Sequence, residues 1–487
     1  MSDLGQIGAR RMTADVTVQI VARILNLALG VVVTLVIVHA LGSRGFGVWS
    51  SLFAVTQIAA SFGELGLNQV AVNRAAAEPE REAGWLGALL SLRLLTGIPV
   101  TIVSVLAVLL IAPDHNSQFA GVLLSLLLLV GVPTTLNVVF QLRVRNDIPM
   151  GIMSLNSLIW AAAVIAVAAF SGGVAAFAVA FFITSALTAC LTALLALRLA
   201  AVHLRGSSKH WRALLRVGVG LGIAGVLVTS YVRLDQVLVL EFAGARQAGL
   251  YGAAYRLLDQ VQFIPISVMT TLFPMIAAAY KSSRDRSLEL LQAAAEYLTM
   301  ASLPILAFTI IAAEPIMTFL FGRQFAAGAP ALPILAGAFV SISFGYLAGN
   351  MVVILELQRR FAVYAAIGLL VNVVLNLLLI PRYGFLAAAW VTLITEVTVM
   401  LLSMRRVLLA LKMRPRMGRL VRTLLAACIM GALTWIARMA GAPLGVLAVV
   451  AVPSYVAALL LLGVLVPAEV MVILRKQTVV SSGDGAH

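Results

Sequence analysis

The sequence predicts an all-α polytopic membrane protein: about fourteen transmembrane helices, two six-helix lobes in parallel repeat plus two C-terminal helices, with both termini cytoplasmic. Three observations carry this. Of the 487 residues, 62% are apolar and only 11% charged, too apolar for a chain with a fully solvated surface. Apolar runs of about 20 residues, the length that crosses a bilayer, recur along the whole chain. And one short turn is written twice: "LGSRGFGVWS" from Leu41 to Ser50, and "AGARQAGLYG" from Ala243 to Gly252.

The elements follow in order, with glycine and proline marking most turns. Helix 1 is expected over 15–41. Its apolar run, from about Val16, is too long for a signal-peptide core and lacks a small-residue cleavage site, so it should stay in the membrane. "SRGFG" separates it from helix 2 over 47–72. Helix 3 over 85–112 ends at "APDHN", and helix 4 covers 118–141. Helices 5 and 6, over 149–170 and 173–199, are divided only by "SGG". Helix 7 over 212–241 carries Gly218, Gly220, Gly222 and Gly225, read as a closely packed stretch, with a bending helix as the sharper alternative. "AGARQAG" leads into helix 8 over 248–279. Helices 9 and 10 follow over 288–312 and 329–356. "PRYG" divides helix 11 (361–380) from helix 12 (384–409), and "GAP" divides helix 13 (418–438) from helix 14 (444–473). The domains are then a lobe over 1–204, a second over 205–411, and 412–487 for the last two helices and a short cytoplasmic tail.

A formal charge of +15 invites a nucleic-acid reading, but its distribution points elsewhere. With the N-terminus inside, most of the 34 Lys and Arg residues fall in cytoplasmic segments, among them Arg10, Arg11, Arg143, Arg145, Lys209, Arg212, Lys281 and Arg359. That is the positive-inside pattern, and such residues also meet anionic lipid. No nucleic-acid partner is expected. The loops are short, so no soluble domain is available on either face. Cys190 and Cys428 lie inside apolar runs and read as small core residues, not as a disulfide or metal pair.

The two copies of the turn share Gly-[Ser/Ala]-Arg-x-x-Gly-[Val/Leu]-[Trp/Tyr]. They follow helices 1 and 7. Six helices lie between them, so both copies run the same way through the membrane and both turns fall on the outside. This is the mark of lobes related by an axis along the membrane normal, an arrangement transporters use for alternating access. Gly47 and Gly249 are expected to permit the turn conformation.

Several stretches resemble the polysaccharide flippases of the multidrug/oligosaccharidyl-lipid/polysaccharide exporter superfamily. "ALGSRGFGVWSSL" resembles that family's turn after helix 1, and "SFGELGLNQVAVNR" its end of helix 2. "RLDQVLVLEFAGARQAGLYGAAYRLLDQV" is similar to its helix 7–8 hairpin. "LFGRQFAAGAPALPIL" resembles the start of helix 10, and "NVVLNLLLIPRYGFLAAAWVTLITE" the helix 11–12 hairpin. The resemblance implies export of a polyprenyl-pyrophosphate-linked oligosaccharide across the bacterial inner membrane. The implied partners are membrane lipid, that glycolipid and other polysaccharide-assembly proteins; the implied driving force is an ion gradient.

Ionisable groups inside a span are costly and point to function by default. Arg233 and Arg256 are the leading substrate candidates. Each lies about 12–14 Å below the outer end of its helix, so they should share one depth and offer bidentate donors to a pyrophosphate. The alternative is a structural ion-pair cluster with Asp235 and Asp259. Arg23 and Arg93 are weaker cavity candidates, since either could snorkel to the inner interface. Among the acids, Asp235, Asp259, Glu396 and Glu64 are candidates for H+ or Na+ coupling, because burial disfavours a bare carboxylate. Asn372 and Asn376, at i,i+4, read first as interhelical glue and second as ligands. No cofactor, metal site or enzyme motif is found; the five histidines are scattered. The competing readings are a flippase for lipid-linked peptidoglycan precursor, a cation-coupled drug exporter, and a glycan-handling membrane enzyme. The enzyme would want a sizeable outer loop that this chain lacks.

Overall fold

The computed structural model of the protein describes residues 2–145, 147–204 and 208–465, with the backbone alone described at 2–25, 27 and 221. Among the described residues there are helices and turns and no strands. In chain order the helices are α1 (Ser2–Glu64), α2 (Leu67–Ala77), α3 (Glu82–Ile111), α4 (His115–Val130), α5 (Asn137–Leu142), α6 (Asp147–Ala169), α7 (Val174–Leu199) and α8 (Ser208–Ala243). Then come α9 (Ala245–Val261), α10 (Phe263–Ser282), α11 (Arg284–Phe321), α12 (Ala331–Ile354), α13 (Gln358–Tyr383), α14 (Phe385–Leu411), α15 (Met417–Met439) and α16 (Leu444–Leu461).

Thirteen stretches of the described residues are long and apolar enough to cross a membrane. One of them, Ala28–Ala77, takes in the latter part of the expected helix 1 and the whole of the expected helix 2. Within α1 the helix is broken at Gly42, whose φ of 62° and ψ of −175° place it in a region only glycine enters readily. A second break at Leu65 (φ 39°) and Gly66 (φ 70°) cuts the expected helix 2 short and starts α2. The expected helix 4 is interrupted near Pro133, where Val132–Leu136 tightens to a 3-10 turn before α5. Helix 9 runs longer than expected, through Pro304 and Pro315 to Phe321, so the loop after it is short. The end of the expected helix 14, beyond residue 465, lies outside the described residues.

By packing, the chain divides into two compact units. Unit 1 is 1–253 with 358–392; unit 2 is 254–357 with 393–487. The division passes through α9 after Ala253 and through α14 after Thr392. In unit 1, a core of Leu67, Trp85, Leu86, Leu89, Phe140 and Leu214 ties α2 and α3 to the start of α8. Polar pairs add interhelical links: Ser104 with Ser125 at 2.8 Å, and Thr188 donating to Asn156 at 2.7 Å. Outside the spans, Asp114 caps α4 by accepting the Ser117 N–H at 2.9 Å. That bond, with the Ser117 hydroxyl, holds its carboxyl below the ordinary range. In unit 2, Met269, Ile276, Leu291, Leu298 and Met351 form one core, while Ala426, Met430 and Tyr455 pack against Leu303 and Phe308 in another.

The outer surfaces are apolar. Leu94, Ile98, Ile102, Val103, Leu106 and Leu110 all stand exposed on α3, as on a helix whose solvent is lipid. Cys190 and Cys428 correct the expectation of small core residues: both are free and exposed on helix surfaces.

Candidate functional site

The strongest constellation is a buried carboxylate in unit 1. Asp235 sits on α8 with no exposed surface. Four neutral donors converge on it from three other helices. On Oδ1 it accepts from Asn372 Nδ2 at 2.7 Å and from Asn376 Nδ2 at 2.6 Å, neighbours one turn apart on α13. On Oδ2 it accepts from the Tyr251 hydroxyl of α9 at 3.1 Å and the Thr392 hydroxyl of α14 at 2.5 Å. Tyr251 and Thr392 lie 2.9 Å from each other, and Thr392 Oγ1 is also 2.9 Å from the Ala388 carbonyl. The Asn376 Oδ1 atom is buried without a hydrogen-bond partner.

No salt bridge reaches Asp235 among the described residues, so every group holding it is uncharged. A buried charge with no counter-charge is expensive, and hydrogen bonds from neutral dipoles offset only part of the cost. The cluster is balanced when a proton or a small cation joins it. An amide presents an oxygen as readily as an N–H2 by rotating, and Asn376 already holds one oxygen unused. With Asp235, Thr392 and the Ala388 carbonyl, the site can thus offer an oxygen-rich set of the kind hard cations take. Among the described residues there is no group of three or more His, Cys, Asp or Glu suited to a metal.

The other sequence candidates scatter. Arg233 is half-buried on α8 in unit 1, whereas Arg256 and Asp259 lie on α9 in unit 2. Glu396, buried on α14, also belongs to unit 2. There the Tyr346 hydroxyl donates to Gln262 at 3.2 Å and Gln262 donates to Asp259 at 3.5 Å. Asp259 and Glu396 both bear electrostatically on the Tyr346 hydroxyl. Arg93 and Glu64 meet directly: Nη2 and Oε1 are 3.7 Å apart, with the arginine side chain 12% exposed and the glutamate 67%. The side chain of Arg23 lies outside the described residues. Unit 2 also holds an apolar cavity of about 510 Å³, lined by Pro304, Phe308, Leu335, Phe339, Val452 and Tyr455 among others.

Gly47 and Gly249 require a correction. Neither supplies the turn; Gly42 and Gly244, with φ of 62° and 84°, do. Gly47 and Gly249 sit just inside the helices that follow, where backbone meets backbone. A Cβ on Gly47 would lie 1.9 Å from the Ala245 carbonyl oxygen, and one on Gly249 would lie 1.8 Å from the Ser43 carbonyl oxygen. Ser43 and Ala245 hold the same place in the two copies of the motif. The contact is therefore reciprocal, as between two units related by a two-fold axis. The turn is repeated because its two copies pack on each other. Helix 7 behaves similarly: Cβ atoms on Gly218 and Gly222 would strike the Leu65 backbone, while Gly220 and Gly225 face open space. The packing reading holds for two of its four glycines.

Sequence reading singles out Asp235 but not its partners Tyr251 and Thr392, which lie 16 and 157 residues away in the chain. The available signal was Tyr251's match to Trp49 in the repeat, and Thr392 facing a known acid in a neighbouring hairpin.

Comparison with known proteins agrees with this architecture. An uncharacterized membrane protein of Methanocaldococcus jannaschii, MJ1068, is 24% identical over 176 residues, covering 36% of this chain and 34% of that protein. The match thus spans about a third of the curated relative. Among solved structures, the lipid II flippase MurJ in an inward closed conformation superposes with a TM-score of 0.71 at 14% identity, covering 91% of this chain and 98% of MurJ. An inward-facing multidrug resistance MATE family transporter of the MOP superfamily gives 0.57 at 15% identity, covering 80% and 95%. These likenesses establish the fold. The sequence model of the polysaccharide biosynthesis protein family matches residues 19–330, most of the chain, and the protein belongs to that family.

Proposed function

We propose that this protein is a flippase of the bacterial inner membrane, with both termini in the cytoplasm, that moves a polyprenyl-pyrophosphate-linked oligosaccharide to the outer face. Membership of the polysaccharide biosynthesis family is the observation that carries this reading, and the MurJ and MATE fold supports it. The polymer it serves is a surface polysaccharide such as O-antigen or exopolysaccharide. Translocation proceeds by alternating access of the repeated lobes. Arg233, Arg256 and Arg23 each offer a guanidinium of the kind that binds phosphate oxygens in pairs, and each is a candidate contact for the pyrophosphate. The hydrocarbon tail is accommodated by apolar surface of the kind that lines the unit 2 cavity.

Asp235 is the coupling group. Its cluster has a carboxylate, no cation, and an unused amide oxygen, so binding of H+ or Na+ completes it. Asp259 and Glu396 are further candidates.

The test is a deletion strain examined for surface glycan and for the membrane side of its lipid-linked intermediate. Loss of surface polymer with intermediate stranded on the cytoplasmic face is expected. A second reading, transport of lipid-linked peptidoglycan precursor, is favoured by the MurJ superposition. It predicts failure of cell-wall synthesis with surface glycan intact. Normal glycan and normal wall with altered tolerance to cationic dyes would move the assignment to drug export.

A further inference from the structure

α8 starts before it enters the membrane. Its crossing stretch is Gly222–Ala243, 22 residues and long enough for the hydrocarbon. Arg216 and Arg212 precede that stretch by about 9–15 Å, at the headgroup layer and just beyond it. Ser208, Arg212 and Arg216 stand on successive turns and, with Leu215 and Val219 among others, line an open cavity of about 640 Å³. Both arginines are exposed, and neither has a hydrogen bond or ion pair among the described residues. No carboxylate is among the described residues that line the cavity.

The opposite face of the helix is committed to packing. Leu214 is fully buried in the unit 1 core, and Gly218 lies against the backbone at Leu65. Each is two residues from Arg216, about 200° round the helix. The Trp211 indole N–H donates to Ser91 at 2.9 Å, and the His210 ring lies 4.2 Å from that of Trp85. The arginines are therefore held on the side turned away from the core. Residues at i,i+4 have Cβ atoms about 5–6 Å apart, so two like charges stand together with no acid between them. An anion with two adjacent charges answers both. A phosphodiester headgroup has one charge to give. A pyrophosphate diester has one on each phosphate, and each phosphate can accept one guanidinium fork.

We propose that Arg212 and Arg216 form the capture site for the pyrophosphate of the transported lipid, ahead of Arg233, about 25 Å farther along the same helix. This rests on the flippase reading and on the orientation that puts the start of α8 at the cytoplasmic face. Ser208 adds a hydroxyl donor. Leu215 and Val219 receive the first units of the hydrocarbon as it leaves the headgroup layer.

The experiment uses the full chain purified in detergent, where orientation in a membrane plays no part. Native mass spectrometry compares binding of undecaprenyl pyrophosphate, undecaprenyl phosphate and phosphatidylglycerol. The pyrophosphate should bind at least fivefold more tightly than either of the others, and R212Q/R216Q should weaken it at least fivefold with the thermal midpoint unchanged. In proteoliposomes, R212Q/R216Q should raise the half-saturating concentration of lipid-linked substrate far more than it lowers the maximal rate. Equal affinity for phosphatidylglycerol and the pyrophosphate, wild-type binding in R212Q/R216Q, or a fall in the maximal rate alone overturns the proposal. The flippase reading is judged apart. Normal surface glycan in the deletion strain removes that reading, whereas lost glycan in that strain with unchanged binding in R212Q/R216Q removes only this site.

Discussion

At the scale of single residues, Asp235 combines complete burial with four neutral donors, and this combination sets different costs for different replacements. Asn keeps the shape and lets the amides rotate to find partners. Ala removes both oxygens and orphans the donors of Asn372, Asn376, Tyr251 and Thr392, each buried. A buried polar group left unsatisfied costs about 1–3 kcal/mol. D235A should therefore lower the thermal midpoint in detergent by on the order of 5 °C or more, with D235N clearly less affected. The two should nonetheless agree in function. With no titratable or cation-binding charge, each should lose the dependence of flipping on an imposed Na+ or pH gradient in proteoliposomes. Gradient-driven flipping by well-folded D235N would remove Asp235 from the coupling role. Running the two gradients separately identifies the ion: if Na+ alone drives the wild-type protein, the amide oxygens serve as ligands; if pH alone does, the carboxyl takes a proton.

At the scale of elements, α15 is held to α11 by an ion pair near each end. Arg419 meets Glu296 at 3.1 Å, and Arg438 meets Glu314 at 3.6 Å. The pairs are nearly equally spaced on both helices, about 27–29 Å apart along each axis, so the helices run parallel and the pairs fall near opposite faces of the hydrocarbon. They should not contribute equally. The Glu296 side chain is 11% exposed and also accepts from Gln292 at 2.9 Å; Glu314 is 63% exposed. Removing a partner from a buried carboxylate is costly, whereas an exposed pair contributes about 0–1 kcal/mol. R419A should thus destabilise clearly and R438A hardly at all, as read by thermal unfolding in detergent. Glycines make a parallel case. G47A and G249A must each push apart two backbones, an overpacking of about 1–3 kcal/mol. G220A has open space before it and should be neutral or slightly stabilising. If G47A and G220A unfold at the same temperature, the close approach is not a constraint in the working protein.

At the scale of the whole molecule, what was legible in the sequence is what depends on composition and local pattern. The helices, their order and the repeat are of this kind, because a bilayer demands about 20 apolar residues per crossing wherever they fall. Asp235 was legible because an acid in an apolar run is rare. Asn372 and Asn376 were legible as an i,i+4 polar pair but not as donors to this acid, and Tyr251 and Thr392 were not legible as its partners, because α9, α13 and α14 meet Asp235 only through tertiary packing. The role of Gly47 was misjudged for the same reason: a glycine near a turn looks like a turn residue until the second backbone is seen against it. That second backbone gives the repeat a mechanical meaning. Two copies of one motif, packed reciprocally through Gly47 and Gly249, are a contact that alternating access must break if the copies belong to lobes that rock. The test is to replace the free, exposed Cys190 and Cys428 with serine, introduce S43C and A245C, and join them with a short disulfide-cleavable cross-linker. Cross-linking should stop flipping, and reduction should restore it, while either single cysteine treated alone should be unaffected. A cross-linked protein that flips at the full rate would mean that this contact stays closed throughout the cycle, and that the moving interface lies elsewhere.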